Sequence, residues 1–429
     1  MNPAPDSQPT DPTHGAHVDA VVSGAGLVGS AVALGLADAG AQVALIEPQA
    51  HPSIDQPDHD RRTLVLNAAS LNVLTHLGVM GEALARVPIE RIVINRQGGF
   101  GHLVLDAAKH GALIGDDTDP DAPYFGQVVV AAALGDALLE RVVAHPNIHR
   151  HCPNALVGFV DHADWVQATL DDGTTLSARV LVGADGNASP IRQQLNAPVE
   201  RHDYGQSAMV FNCQAAKPQP HTAFERFTPQ GPLALLPQAH GRYGVVWIDD
   251  HDAIDEALSW SDEAVLARLH ARFGPKLGAF SNASPRQSYP LIKQHTPTPV
   301  SGRVVLVGNA ANAVHPVSAQ GLNLGLRDVA GLVAALNHSA DWPDALQTYQ
   351  HQRAADQRAT LRYTDTLART FAHRSGLVRG LGGLGLALHA AWPSLERRLV
   401  RSAMGFRQPR AELTRAANIR PQESAKEAT

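Results

Sequence analysis

The pattern of hydrophobic and polar residues near the start of the chain predicts a β-strand, a helix and a second strand. A mainly apolar stretch covers positions 18–22, an alanine-rich stretch with helical spacing covers 27–39, and a second stretch at 42–47 has four consecutive apolar residues between Gln42 and Glu47. Gly40 follows the helical stretch, where a glycine commonly ends a helix. This order predicts a βαβ unit and therefore an α/β fold.

The pattern changes further along the chain. Residues 63–77 and 126–143 have helical spacing, whereas 91–95 and 103–105 predict a hairpin, and a DDG turn near residue 172 predicts another. Extended segments dominate from about 201 to 290, with one helical stretch at 261–273. A strand at 303–307 then precedes a helix that runs to residue 337. The chain is therefore predicted to leave its first domain for a sheet-based domain and to return to it.

Composition narrows the class of protein. The 429 residues are 44% hydrophobic and 18% charged, which is typical of a soluble globular protein. The net charge of -6 argues against a nucleic-acid partner. Two cysteines, Cys152 and Cys213, cannot form a disulfide framework, which fits a cytoplasmic protein. No uninterrupted apolar run reaches the roughly 18 to 20 residues of a membrane span, so any membrane contact is predicted to be peripheral.

The two ends of the chain and its histidines add little chemistry. Residues 1–16 are rich in Pro, Asp and Thr and lack a basic region followed by an apolar run, so we predict a disordered lead-in. The chain has 22 histidines but no HExxH motif or paired-cysteine spacing, so no metal site is predicted. The segment 373–429 is predicted to contain a helical stretch at 375–406 that acts as a cap, an oligomer contact or a membrane-surface element, or that simply packs on the core.

A glycine motif lies between the first strand and the first helix. Gly24, Gly26 and Gly29 form GxGxxG, in which the glycines permit a tight turn, a close approach to a pyrophosphate and close packing of the helix. Glu47 ends the second strand, at the distance expected of an acid that binds a ribose hydroxyl. The helix N-terminus supplies free amides for the anion. The segment therefore predicts dinucleotide binding.

Later motifs indicate which dinucleotide is bound. The chain contains, in order, GAGLVG, RRTLVLNAASLNVLTHLGV, GADGNASPIR and GNAANAVHPVSAQGLNLGLRD. This set resembles the single-component FAD-dependent aromatic hydroxylases of the para-hydroxybenzoate hydroxylase fold, over about residues 17–375. Segments such as AFERFTPQGPLALLP and AMGF are similar to the ubiquinone-biosynthesis branch, and most of all to its 2-polyprenyl-6-methoxyphenol hydroxylases.

The resemblance implies a fold and a division into domains. The implied fold is a Rossmann-like FAD-binding domain interleaved with a sheet-based substrate domain, followed by a C-terminal helical segment. We assign 17–85, 106–198 and 300–372 to the FAD-binding domain. Residues 86–105 and 199–299 are assigned to the substrate-binding domain, and 373–429 to the C-terminal segment and tail.

The resemblance also implies roles for individual residues. Arg62 would sit near the FAD pyrophosphate, although a surface arginine is an open alternative. Gln127 would contact the flavin or its ribityl chain, unless it is an ordinary polar residue at a helix start. Asp185 and Gly186 would form a turn near the pyrophosphate and the nicotinamide approach.

The implied roles continue in the last motif. His315 and Pro316 would approach the flavin ring from the substrate side and are the candidate catalytic residues. The remaining candidates would hold the cofactor. Gly308 and Asn309 would do so in the loop. The backbone amides of Gly321, Leu322 and Asn323 would face the pyrimidine end of the flavin.

Two residues of the last motif depart from the wider family. Asn309 stands where an Asp is usual; its amide oxygen can still accept a hydrogen bond, but without charge assistance. The resembled branch also uses Asn at this position. Ala319 stands where Gly is more common, so a positive φ there would strain the backbone by about 1 kcal/mol or more.

The implied activity is hydroxylation of the ring of 2-polyprenyl-6-methoxyphenol in ubiquinone biosynthesis. FAD reduced by NAD(P)H would react with O2 to give a flavin hydroperoxide that attacks the phenol ring. Three alternatives stay open: hydroxylation of a polyprenyl phenol at another ring position, a different flavin oxidoreductase, and a non-catalytic flavoprotein subunit of a biosynthetic complex. The expected partners are a lipophilic polyprenyl phenol, other ubiquinone-biosynthesis proteins and the inner face of the membrane.

Overall fold

Three β-sheets organise the chain in the computed structural model. The structure describes residues 16–50, 62–98, 102–109, 123–372 and 412–414. The predicted lead-in at 1–16 lies outside these ranges apart from its last residue. The predicted C-terminal segment at 373–429 also lies outside them, except for a short 3-10 turn at Glu412–Thr414.

The strands and helices follow one another in this order. The strands are β1 (Ala16–Ser23), β2 (Val43–Ile46), β3 (Thr63–Asn67), β4 (Arg86–Pro88), β5 (Arg91–Arg96), β6 (His102–Asp106), β7 (Gly126–Val130), β8 (Ile148–His151), β9 (Leu156–Asp161), β10 (Val166–Leu170), β11 (Thr175–Gly183), β12 (Glu200–Ala215), β13 (Thr222–Phe227), β14 (Pro232–Pro237), β15 (Arg242–Asp250), β16 (Phe280–Ser281), β17 (Gln287–His295), β18 (Val300–Ser301), β19 (Val304–Leu306) and β20 (Asn312–Ala313). The helices are α1 (Leu27–Asp38), α2 (Ala68–His76), α3 (Ala131–Ala144), α4 (Pro190–Gln194), α5 (His251–Leu258), α6 (Asp262–Phe273), α7 (Gln320–Asn337) and α8 (Trp342–Ala372).

The first sheet has a parallel centre. Its strands lie in the order β18, β19, β11, β1, β2 and β8. In addition, β10 pairs antiparallel with β11, and β9 pairs antiparallel with β10. The four pairs from β19 to β8 are all parallel. Ala20 and Val22 of β1 pack into the core that α1, α2, α3 and α7 share, whereas Val21 faces a second core with Phe159. Helices therefore form a layer on one face of the parallel strands, as is common in α/β folds.

The second sheet is mostly antiparallel. Its order is β20, β17, β12, β15, β14, β13, β5 and β6, and only the β13 and β5 pair is parallel. One face of this sheet packs on α5 and α6 through residues such as Phe224, Trp247 and Phe273. A third, three-stranded sheet has the order β3, β7, β4, and its strands come before and after β5 and β6 along the chain.

Comparison with the sequence predictions confirms the α/β class and corrects several elements. Residues 63–77 do not form one helix, because Thr63–Asn67 is a strand and α2 begins at Ala68. Its antiparallel partner is Gly126–Val130, which was wrongly predicted as the start of a helix. The second sheet also carries an unpredicted helix, α5. The predicted domain boundaries stay a prediction, although most strands of 86–105 and 199–299 do lie in the second sheet.

Candidate functional site

Loops from three motifs meet at one edge of the first sheet, where its parallel strands end. β1 ends at Ser23, β11 at Gly183 and β19 at Leu306. The Ala184 amide donates to the Ser23 carbonyl at 2.8 Å, and the Val307 amide donates to the Gly183 carbonyl at 2.9 Å. Open α/β sheets bind ligands in the crevice outside the carboxyl ends of their strands. The three motifs of the sequence are therefore brought to the edge where a ligand is expected.

The glycine loop between β1 and α1 is shaped by close packing. Gly24 has φ +98°, and a Cβ there would lie 2.6 Å from the Ala184 carbonyl oxygen. A Cβ at Gly29 would overlap the carbonyl oxygen of Gly24. A Cβ at Gly26 would meet no atom within 4 Å, and Gly26 precedes α1 without a side-chain cap. Two glycines are thus required by packing, whereas Gly26 leaves open space beside the amides of α1.

Glu47 is held against the glycine loop. It follows β2, and one carboxylate oxygen accepts a hydrogen bond from the Ala25 amide at 2.8 Å. The other oxygen accepts from the Gln49 amide at 3.0 Å. Each carboxylate oxygen has a further lone pair, so Glu47 can still accept from a ribose hydroxyl.

Asp185 presents a buried acceptor at the same edge. Gly186 follows it with φ +81°, and Asp185 Oδ2 accepts from the Ile191 amide at 3.2 Å. Burial raises the pKa of Asp185, against the effect of its hydrogen bonds with Ser189 and Ile191. Asp185 Oδ1 is buried and has no hydrogen-bond partner among the described residues. It can therefore accept from a group outside the protein.

Arg192 is buried beside the Asp185 turn. Within the GADGNASPIR motif it was a weaker candidate that could equally have lain on a helix surface, but the residue is only 7% exposed. Its guanidinium donates to the Ala310 carbonyl at 2.8 Å and to the Asn187 carbonyl. Arg192 therefore ties the Asp185 turn to the loop after β19. Nothing in the local sequence separates such an arginine from an exposed one.

The loop after β19 packs on the first helix. Gly308 has φ +56°, and a Cβ there would lie about 3.1 Å from the Val28 side chain. Asn309 has an exposed side chain, and its backbone carbonyl oxygen accepts a hydrogen bond from Gln294 Nε2 at 3.3 Å. The Asn309 side chain is therefore available to a ligand at this edge.

Helix α7 begins beside this loop. Its N-cap is Ala319, with φ 49° and ψ 41°, so the positive φ considered from the sequence is present. No side chain caps this helix, and Gly321 and Leu322 lie in its first turn. Helix N-termini carry free amides and partial positive charge that favour anions.

The side chain of Asn323 serves the fold. Its Oδ1 accepts from the Asn67 amide at 2.9 Å and from the Ser70 hydroxyl at 2.7 Å. Its Nδ2 donates to the carbonyls of Val65 and Ala319. These bonds join the start of α7 to β3 and α2, so only the backbone amide of Asn323 is left for the predicted cofactor contact.

His315 is buried against β12 of the second sheet. It is 1% exposed, and its ring lies edge-on to Tyr204 of β12 with 4.9 Å between the ring centroids. Its Nδ1 accepts from the Val317 amide at 3.1 Å, which leaves the proton of the neutral ring on Nε2. Nε2 has no hydrogen-bond partner in the described part of the chain. Burial lowers the pKa of His315 to about 4, although Asp365 opposes this. Pro316 follows with φ -67° and precedes a 3-10 turn at Val317–Ala319.

Two further predicted residues lie near the second sheet or in the third one. The Arg62 guanidinium lies over the ring of Tyr289 of β17, 4.9 Å from its centroid. Its placement at the pyrophosphate stays a prediction. Gln127 belongs to β7 and not to a helix start, and its Oε1 is buried with no hydrogen-bond partner in the described ranges.

These residues fit FAD. The open space at Gly26 suits a pyrophosphate at the start of α1, and Glu47 suits a ribose. Gln127 and Asp185 each have a buried oxygen that can accept from a hydroxyl or an imide. Within the described ranges, no group of three or more His, Cys, Asp or Glu residues could hold a metal ion. None of the helices described combines the length and the apolar character needed to cross a bilayer.

Comparison with known proteins agrees with this fit. The profile of the FAD binding domain family matches residues 17–364. The ubiquinone hydroxylase UbiL of Rhodospirillum rubrum is 32% identical over 397 residues, which cover 90% of this chain and 89% of UbiL. The 3-demethoxyubiquinol 3-hydroxylase of Escherichia coli is 29% identical over 394 residues, covering 90% of this chain and 98% of that enzyme.

A solved structure shows the same fold. The p-nitrophenol 4-monooxygenase PnpA of Pseudomonas putida superposes with a TM-score of 0.73 over 92% of this chain and 100% of PnpA. The two sequences are 17% identical, so the likeness concerns the fold alone.

Proposed function

The chain belongs to the FAD binding domain family, and from that premise we propose that it hydroxylates the ring of a polyprenyl phenol in ubiquinone biosynthesis. It is an FAD-dependent aromatic monooxygenase, and NAD(P)H is the electron donor typical of its family. Ubiquinone hydroxylases are similar to it over nine-tenths of its length, which supports a lipophilic quinone precursor as the substrate.

The contact between Tyr204 and His315 carries the proposal. Tyr204 belongs to an apolar cluster on the second sheet that includes Ala208, Ile248 and Leu291. Because its ring touches His315, this apolar face begins beside the loop that is expected to meet the flavin. An apolar ring and its prenyl tail can bury against such a face, which favours a lipophilic phenol over a charged substrate.

The residues of this chain would bind and orient the cofactor. The amides at the start of α1 would hold the pyrophosphate, Glu47 would accept from a ribose hydroxyl, and Asp185 would accept from a donor of the cofactor. The amides of Gly321 and Leu322 would stabilise negative charge at the pyrimidine end of the flavin. Bound FAD supplies the reaction with NAD(P)H and O2, which no side chain can perform.

His315 would line the reacting face of the site. Because burial lowers its pKa to about 4, the ring is neutral at physiological pH and donates through Nε2. A neutral donor can bind the substrate oxygen or a flavin carbonyl without adding a full charge to an apolar site. Pro316 would keep the loop in one conformation beside it.

The proposed substrate is 2-polyprenyl-6-methoxyphenol. A second candidate is 3-demethoxyubiquinol, because the Escherichia coli enzyme that hydroxylates it is 29% identical over nearly its whole length.

The quinone precursors of a strain that lacks the gene distinguish these proposals. Accumulation of 2-polyprenyl-6-methoxyphenol would support the first substrate, and accumulation of 3-demethoxyubiquinol would support the second. The purified, FAD-loaded protein should then hydroxylate the accumulated precursor with NAD(P)H and O2. If FAD is bound but no hydroxylated product forms, the catalytic proposal is wrong.

A further inference from the structure

Glu225 is a carboxylic acid on β13 that the cofactor site does not use. The strand registers place it opposite Ala234 of β14 and Ile94 of β5. Ala234 lies opposite Val246 of β15, which lies opposite Val210 of β12. Residues directly opposite one another in neighbouring strands project from the same face of a sheet. Glu225 therefore shares one face with Val246 and Val210.

That face is the one directed at the cofactor domain. Val246 packs with the apolar cluster that contains Tyr204, and Tyr204 touches His315. Val246 and Val210 also line a small cavity together with Arg62 and Thr63, which belong to the first part of the chain. We call the space between this sheet face and those residues the cleft.

The strand residue before Glu225 confirms this orientation. Phe224 packs on the opposite face, where its ring meets Phe273 of α6 edge-on at 5.4 Å between centroids. Successive side chains of a strand point to opposite faces. Glu225 must therefore point towards the cleft.

The surroundings of Glu225 are apolar. Ala223, Ile94 and Leu236 belong to a hydrophobic cluster on the same face. No hydrogen bond or ion pair reaches the Glu225 carboxyl from the described residues, and burial alone raises its pKa to about 7. Arg96 of β5 lies on the same face by strand register, and Arg62 lies across the cleft beside Tyr289.

We propose that the Glu225 carboxylate is the base that removes the proton from the phenol hydroxyl of the substrate. This inference rests on the proposed function. The O–H bond of the phenol breaks, a new O–H bond forms on the carboxylate, and the electron pair stays on the phenol oxygen. The resulting phenolate is a better nucleophile at the ring carbon that is hydroxylated.

A carboxyl in this environment suits the step. A phenol has a pKa of about 10, so it is almost entirely protonated at neutral pH. A general base is most effective when its own pKa is close to the working pH, and such bases contribute about a hundredfold or more to the rate. A carboxylate of ordinary pKa would be a much weaker base, so burial of Glu225 favours the transfer.

The test uses the full-length, FAD-loaded protein and 2-farnesylphenol as the probe. Glu225→Gln keeps the shape of the side chain but cannot take up a proton, and Glu225→Asp restores a carboxylate. Glu200→Gln is the matched control, since Glu200 is an exposed glutamate on β12. Circular dichroism and flavin absorbance verify that each variant is folded and holds FAD.

The first measurement does not depend on turnover. Ultraviolet difference absorbance reports whether the bound probe is a phenol or a phenolate in the oxidised protein. All four proteins should bind the probe as the neutral phenol at pH 7.5, because the phenol pKa of about 10 lies far above the pKa of about 7 of Glu225, so the proton leaves only as the ring reacts. Equal binding of the neutral phenol by the Glu225→Gln variant would show that the substitution removes the base and leaves the binding site intact.

The second measurement is the pH profile of hydroxylation. The Glu225→Gln variant should lose about a hundredfold in kcat at pH 7.5 and recover as the pH approaches the pKa of the phenol, about 10. A pH profile of hydroxylation that is unchanged in this variant would overturn the role of Glu225. If the wild type itself binds FAD but neither binds nor hydroxylates the probe, the proposed function is what fails.

Discussion

Acid should destabilise this protein through His315. The ring is 1% exposed, and burial lowers its pKa from 6.5 to about 4. In the unfolded chain the same ring has its ordinary pKa of 6.5. Between pH 6.5 and about 4 the ring is protonated in the unfolded state but neutral in the folded state. The free energy of unfolding therefore falls as the pH falls.

The size of the effect follows from the two pKa values. The stabilising contribution is fully present above pH 6.5 and is lost as the pH drops towards 4. At about 1.4 kcal/mol per pKa unit, the loss between pH 7.5 and pH 4.5 amounts to about 2.5 kcal/mol. This is a large share of the roughly 5 to 15 kcal/mol that stabilise a typical protein.

The His315→Asn variant isolates this contribution. The Asn Oδ1 can still accept from the Val317 amide, as His315 Nδ1 does, but Asn does not titrate. Urea unfolding at pH 7.5 and 4.5, with equal FAD concentrations, gives the pH-dependent loss for each protein. The variant should lose about 2.5 kcal/mol less than the wild type, and replacement of the exposed His338 by Asn should change nothing. Equal losses in the wild type and His315→Asn would refute the reasoning.

Three further predictions concern the cofactor loops. Gly26→Ala should fold normally but bind FAD more weakly in a flavin fluorescence titration. Gly29→Ala should lower the melting temperature, because its Cβ overlaps the Gly24 carbonyl. Equal melting temperatures of the two variants would contradict the packing argument. Asn309→Asp should retain or tighten FAD binding, since charge assistance strengthens a hydrogen bond, and loss of flavin from this variant would count against a ligand at that side chain. Ala319→Gly should raise the free energy of unfolding in urea by about 1 kcal/mol, because φ +49° strains Ala and not Gly; no gain would mean that the strain is relieved elsewhere.

The cofactor loops could be predicted from the sequence because their chemistry is local. A GxGxxG turn needs only its own glycines and the strand and helix beside it, so Gly24, Gly26 and Gly29 were recognisable before any tertiary contact was known. The positive φ of Ala319 was also considered from its position in a motif, and the structure has it. In each case a local motif marks the position, although Gly24 also packs against the distant Ala184.

The errors arose where distant pairing decides the conformation. Thr63–Asn67 and Gly126–Val130 each have an apolar run that fits a helix or a strand. They become strands because they pair with each other, although Asn67 and Gly126 are 59 positions apart along the chain. The burial of Arg192 and the position of Glu225 could not be predicted for a related reason. The sequence shows that residues alternate along β13, but only the registers with β14 and β15 reveal that Glu225 lies on the cleft face.

The position of α7 also depends on contacts that no motif shows. Arg327 donates to the Asn323 carbonyl at 3.2 Å and to Asp356 of α8 at 2.8 Å. Burial opposes ionisation of Asp356, yet Arg327 and Arg353 lower its pKa to about 2. Such a buried network adds little net stability, but removing one partner costs about 3 to 5 kcal/mol, so it selects one arrangement of the two helices.

The fixed arrangement of α7 and α8 matters at the N-terminus of α7. The amides in the first turn of α7 can stabilise charge on a flavin only if they stay at a fixed distance from it, since the effect of a helix terminus is confined to about one turn. Asn323 fastens this turn to β3 and α2, and Arg327, one turn later, fastens it to α8. The strained Ala319 can then be tolerated, because the contacts on its C-terminal side hold the helix start in place.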